Sequence, residues 1–282
     1  MRYLSVCSGI EAATVAWHDM GWEAAAYSEI EKFPSEVLKY HYPSVPNMGD
    51  MTKYKEWEIG TIGLLVGGTP CQSFSVAGLR KGLEDPRGNL ALTYVGILDK
   101  FKPKWFIWEN VAGVLSSGDG RDFGAFLGAV AQLGYGFSYR VLDAQHFGVP
   151  QRRRRVFVIG HLGDWRPSAK VLFEPESNNW DTKKIQKSII RGRSKNTSGC
   201  LTTRQGQYGR KELDTLIYEY DKNKVRILTP LETERLQGFP DNYTNIPSAS
   251  DIKRYKTTGN SMAVPVMKWI GNRIQMVEDG LI

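Results

Sequence analysis

The sequence predicts an α/β fold, a mostly parallel sheet with helices on both faces, joined to a smaller irregular unit. Short apolar runs alternate with helical stretches from the start of the chain to Gly160. The residues best suited to chemistry fall at the ends of those runs, where open α/β sheets bind their ligands. A polar, basic and weakly periodic tract then breaks the pattern until Arg226.

Residues 3–7 read as the first strand, and 11–20 as a helix with Ala12, Val15 and Ala16 on one side. Residues 23–28 form the second strand and 33–40 the second helix. The run 62–66 is a buried strand that ends in glycines; 90–101 is a helix, 105–108 a strand, 123–133 a helix and 156–160 a further apolar run. Thr229-Pro230 followed by Glu232 starts another helix, because proline suits a first turn and acids favour the N-terminal dipole. Residues 265–276 make the last helix. The expected division is 1–163, a small unit over 164–245, and 246–282 returning to the first. A disordered linker is the other reading of the polar tract.

The 282 residues are 41% hydrophobic, enough for a substantial core. Lys and Arg number 37 against 30 Asp and Glu, a net charge of +7 that suggests a polyanionic partner. The excess is local: no acid lies between Thr182 and Lys211, where Lys183, Lys184, Lys187, Arg191, Arg193 and Lys195 cluster. Cys7, Cys71 and Cys200 are too dispersed for a disulfide framework and show no metal-ligand spacing, so no metal is expected. Few cysteines fit a reducing compartment. Glu11 arrives too early for a signal-peptide core, and no apolar run approaches the ~18 residues of a membrane span. A cytoplasmic protein is expected.

Cys71, in Gly68-Thr69-Pro70-Cys71-Gln72-Ser73, sits just beyond a strand end and is placed to be a nucleophile; an inert buried thiol is the plain alternative. Glu109, at the end of the run beginning at Trp105, offers a carboxyl whose pKa an apolar setting would raise for proton donation, or it is simply a capping residue. Gly9 permits close backbone approach of a ligand, though a tight turn explains it as well. Glu29 is placed to bind ribose hydroxyls or is a surface carboxylate, and Asp50 is equally ambiguous. In Gln151-Arg152-Arg153-Arg154-Arg155, strand alternation puts Arg153 and Arg155 on one side and Arg152 and Arg154 on the other.

Taken in order, these segments resemble the cytosine-5 DNA methyltransferases, over most of the chain outside about 164–223. The residues 68–75 resemble the family's nucleophile loop, Glu109-Asn110-Val111 its acid motif, and 151–155 its Gln-x-Arg-x-Arg segment. Asp85-x-Arg87-Gly88-Asn89-Leu90, Arg226–Pro230 with Arg235–Pro240, and Gly259-Asn260-Ser261 with Val264-Pro265 complete the set. The resemblance implies a Rossmann-like class I methyltransferase fold, S-adenosyl-L-methionine as cofactor, and double-stranded DNA as partner of a monomeric enzyme, bacterial or phage in type. It implies Cys71 as nucleophile toward cytosine carbon 6, Glu109 as the acid at ring nitrogen 3, and Arg155 on the base carbonyl, with Arg153 and Asn110 holding loop and base. Pro70, Gln72 and Ser75 would meet the base, and Arg204 and Gln205 would read DNA within a recognition unit. Cys7, Ser8, Gly9, Ile10, Glu29, Ile30, Asp50, Met51, Leu90, Asn260 and Ser261 would line the cofactor pocket. Cys7 and Ile30 stand where the family usually has aromatics, and Glu11 where it usually has glycine.

A basic recognition tract does not separate DNA from RNA, so an RNA cytosine methyltransferase is the competing enzyme; a catalytically inactive DNA-binding homologue is the competitor from another class. Amino-group methylation is disfavoured, because Thr69-Pro70-Cys71 offers a thiol in place of an Asn/Asp-Pro-Pro-aromatic loop.

Overall fold

The computed structural model describes residues 1–70, 90–174, 216–219 and 223–282. A six-stranded sheet runs in the order β2-β1-β3-β4-β6-β5, with β1 Arg2–Val6, β2 Glu23–Ser28, β3 Leu64–Gly67, β4 Trp105–Val111, β5 Tyr135–Asp143 and β6 Arg154–Leu162. The first four strands are parallel, and β6 runs antiparallel to β4 and β5. The central strands β1 and β3 are almost wholly buried, as expected of strands covered on both faces. Strand β5 was not legible in the sequence. As an edge strand it is only half-buried, and Ser138, Tyr139 and Arg140 break its apolar pattern.

Alternation along β4 splits the core. Trp105 and Ile107 join a cluster with Tyr3, Trp17, Leu64 and Met267, while Phe106 and Trp108 join one with Leu65, Tyr94 and Phe126. Helices α1 (Ala12–Trp17), α5 (Arg166–Leu172) and α8 (Val264–Glu278) supply the first face; α3 (Leu90–Phe101) and α4 (Arg121–Gln132) supply the second. Helix α2 (Lys32–His41) follows β2, and α6 (Pro230–Gln237) and α7 (Asp251–Asn260) precede α8. The expected helix over 11–20 is divided: its α-helical part is α1, a 3-10 turn occupies His18–Met20, and Gly21 ends it at φ 67°.

Val171 and Leu172 of α5 are fully buried in the first cluster, although the polar tract was expected to begin at 164. A two-stranded hairpin, β7 (Leu216–Glu219) and β8 (Lys224–Ile227), stands apart from the main sheet. Helix α6 starts as the sequence predicts: Thr229 and Glu232 form a capping box with proline in the first turn. Arg226 grips Glu232 through two bonds of 2.7 and 2.8 Å and, as the main cause, holds its pKa at about 2.

The chain passes from β1 out to β2 and then returns to β3 on the other side of β1. That reversal opens a crevice at the carboxyl ends of β1 and β3.

Candidate active site

The crevice holds a cavity of about 760 Å³ whose walls come from the ends of β1 to β4, the start of β6 and the turn between α7 and α8. The loop after β1 carries left-handed backbone at Cys7 (φ 49°), Gly9 (φ 55°) and Glu11 (φ 61°). It is held by the end of β2. The Ser8 amide donates to the Ser28 carbonyl at 3.1 Å, and the Gly9 amide to Glu29 Oε2 at 2.8 Å. The other Glu29 oxygen accepts from the Glu31 amide at 2.7 Å, so this carboxyl is fixed at the cavity wall. Burial raises its pKa despite those bonds.

Ile30 is 74% exposed at the cavity rim, whereas Ile10 is fully buried in the core, its carbonyl accepting from the Tyr243 hydroxyl at 3.0 Å. Asp50 caps the next turn through the Thr52 amide and hydroxyl at 2.9 and 2.8 Å. The Cys7 thiol donates to Met51 Sδ at 3.4 Å, and burial pushes its pKa up to about 12, which keeps it protonated and unreactive. Leu90, Asn260 and Ser261 also border the cavity.

Glu11, where the resemblance expects glycine, is 1% exposed and borders the cavity. Its carboxyl accepts from the Ser5 hydroxyl and from the Thr14 hydroxyl at 2.7 Å and amide at 3.3 Å, capping α1.

The far end of the cavity is built by β3, β4 and β6. Glu109 Oε1 lies 3.2 Å from Arg155 Nε, both largely buried. Burial raises the Glu109 pKa, with the charges of Arg155 and Arg153 opposing it. Gly68 faces this carboxyl so closely that a Cβ would stand 2.7 Å from Glu109 Oε2, so a side chain here would displace the carboxyl. Asn110 Nδ2 donates to the Thr69 carbonyl at 2.8 Å, and Trp108 Nε1 to the Thr69 hydroxyl at 3.1 Å. Pro70 lines the cavity at the point where the described chain ends. Cys71, Gln72, Ser75, Arg204 and Gln205 lie outside the described residues.

A model of the C-5 cytosine-specific DNA methylases matches residues 1–198 and 169–276. The chain belongs to that family. The methylase is 30% identical to the Type II methyltransferase M.SsoII of Shigella sonnei, over 97% of this chain and 79% of that one. It is 32% identical, over 96% of its length, to a protein of Escherichia phage P1 named DNA N-6-adenine-methyltransferase, and spans 61% of that protein. Its fold matches the Dnmt2 methyltransferase of S. pombe with a TM-score of 0.75 at 18% identity, covering 100% of both chains. By family the methylase is a DNA cytosine-5 methyltransferase.

Arg153 of the methylase is 3% exposed; its guanidinium donates to the Gly259 carbonyl at 3.1 Å and the Ser261 carbonyl at 2.7 Å. It therefore ties β6 to the turn that carries Asn260 and Ser261. The sequence pattern assigned no role to Gly68, Thr69 or Trp108 themselves. The Gly67-Gly68 pair at a strand end was the available signal, since paired glycines there mark close backbone approach. Among the described residues, no group of His, Cys, Asp or Glu has the makings of a metal site, and no helix is long and apolar enough to cross a membrane.

Proposed function

We propose that the methylase transfers a methyl group from S-adenosyl-L-methionine to carbon 5 of a flipped cytosine in duplex DNA, with Cys71 as covalent nucleophile. The observation that carries this reading is the Glu109–Arg155 pair at 3.2 Å, buried at the end of a strand that also grips Thr69, two residues before Cys71. The Cys71 thiolate adds to carbon 6, and Glu109 delivers a proton to ring nitrogen 3, which neutralises the charge that attack creates. Arg155 reaches the base carbonyl oxygen. Carbon 5, now nucleophilic, accepts the methyl group. Loss of its proton to a base then expels the Cys71 thiolate, and ring nitrogen 3 returns its proton to Glu109. The base must leave the stack first, because the duplex shields its ring faces.

The cavity suits the cofactor: its volume of about 760 Å³ is ample for one nucleoside-sized ligand, and Glu29, Asp50 and the Ser8-Gly9 backbone border it. When bound, S-adenosyl-L-methionine supplies an electrophilic methyl carried on a sulfonium. Glu29 would take the ribose hydroxyls, Ile30 and Met51 the adenine faces, and Asp50 its amino group, with Cys7, Leu90, Asn260 and Ser261 closing the walls. The small unit over 164–245 is proposed to read the target through Arg204 and Gln205, with neighbouring lysines on phosphates. The enzyme is proposed to act as a monomer in a bacterial or phage-infected cytoplasm.

The name of the phage P1 relative raises adenine N6 as a second product. The Thr69-Pro70-Cys71 sequence argues for cytosine, since an amine needs no thiol. Nucleoside mass spectrometry of DNA and of RNA treated with the pure protein and labelled cofactor separates the cases. The expected product is 5-methylcytosine in DNA, with bisulfite sequencing giving the site. N6-methyladenine, or label in RNA alone, overturns the proposal.

A further inference from the structure

We propose that Trp108 and Thr69 form a buried tie that sets the direction in which the chain leaves β3 toward Cys71, making both of them positioning residues for methyl transfer. The inference rests on Cys71 being the nucleophile. Strands β3 and β4 run parallel with Gly67 beside Trp108. Side chains alternate along β4, so Trp108 and Asn110 point to one face and Glu109 to the other. Glu109 thus looks into the cavity past Gly68, while its two neighbours hold Thr69 by its hydroxyl and its carbonyl.

Each end of the tie is fixed. Trp108 is fully buried, and its ring stacks on Phe126 with centroids 4.4 Å apart and 28° between planes. Thr69 is 3% exposed. Asn110 is itself anchored, its Oδ1 accepting from the Val111 amide at 2.9 Å. Proline at 70 then has its own φ locked and restricts the residue before it, so an orientation imposed at Thr69 is transmitted rather than absorbed. Acid and nucleophile loop are registered against each other through three consecutive residues of one strand. The plainer account, a buried indole that merely finds an acceptor, expects a loss of stability and nothing specific to the reaction.

Three single variants and the Trp108→Phe/Thr69→Val double variant separate the two accounts. Trp108→Phe keeps an aromatic ring, a smaller one, and removes the donor; Thr69→Val keeps the shape and removes the hydroxyl; Thr69→Ser keeps the hydroxyl and removes the methyl. Each is measured for melting temperature, for S-adenosyl-L-methionine affinity by calorimetry, and for the single-turnover rate of methyl transfer to unmethylated genomic DNA. Trapping on a duplex carrying 5-fluorocytosine at the mapped site runs in parallel. Trp108→Phe and Thr69→Val are each expected to slow transfer by about tenfold with cofactor affinity unchanged, because small misplacements near reacting atoms cost rate. The double variant should be no slower than either single one, and Thr69→Ser should recover most of the loss. Folded variants that transfer at the wild-type rate, or single losses that multiply in the double variant, overturn the proposal. If the wild type methylates carbon 5 yet traps no adduct, the nucleophile reading fails, while the transfer rates still judge the tie.

Discussion

At the scale of single residues the site is a matter of what burial does to charge. Glu109 sits in an apolar strand end, and desolvation lifts its pKa more than Arg155 and Arg153 lower it. A raised carboxyl pKa means that the proton is kept to higher pH and lost as pH climbs through the folded value. A proton donor at ring nitrogen 3 should therefore give methyl transfer that declines on the alkaline side of that value. Glu109→Gln should lower the single-turnover rate by about 10²–10⁴-fold and abolish that decline, while cofactor binding persists. A pH–rate profile of the variant that keeps the wild-type alkaline limb would refute the assignment. The same carboxyl was legible in the sequence because an acid at the end of an apolar run is unusual. Alternation put Arg153 and Arg155 on one side of the strand, but the resemblance singled out Arg155, and the sequence did not pair it with Glu109. Glu11 was not legible: a carboxyl in left-handed backbone, satisfied by Ser5 and Thr14, becomes intelligible only once the loop is folded around it.

At the scale of elements the cavity depends on the docking of α1 against α8, which fixes the loop after β1. Trp17 Nε1 donates to the Met267 carbonyl at 2.9 Å, and Gly271 lies so close beneath that a Cβ would stand 2.3 Å from the same nitrogen. Gly271→Ala should cost about 1–3 kcal/mol by overpacking, seen as a lowered denaturation midpoint with an unchanged slope. A variant as stable as the wild type would show that the two helices part without strain. Elements with strong periodicity, such as α3 and α8, were readable within a residue or two of their ends. Strand β5 and helix α7 were missed for a common reason. The former is a half-exposed edge, and the latter, Asp251–Asn260, is polar along most of its exposed length, so neither carries a continuous apolar signal.

At the scale of the whole molecule, the sheet reversal between β1 and β3 collects residues from distant parts of the chain around one cavity, and the fall of the candidate residues at strand ends in the sequence already pointed to that crevice. The sequence could not convey how Arg153 bridges β6 to Gly259 and Ser261, because that link spans more than a hundred residues. The net charge of +7 has its densest expression at Lys183, Lys184 and Lys187. Neutralising those three lysines should weaken DNA binding and lower the salt slope by about one unit for each phosphate left without its lysine. An unchanged slope would remove that stretch from the DNA interface. The most direct test of the whole account is the trapped complex itself: wild-type protein, S-adenosyl-L-methionine and a duplex with 5-fluorocytosine at the mapped target, resolved by denaturing mass spectrometry. A protein–DNA conjugate joined through Cys71 and absent from Cys71→Ala is the expected result. Conjugation that persists in Cys71→Ala, or 5-methylcytosine formed by that variant at the wild-type rate, would contradict it.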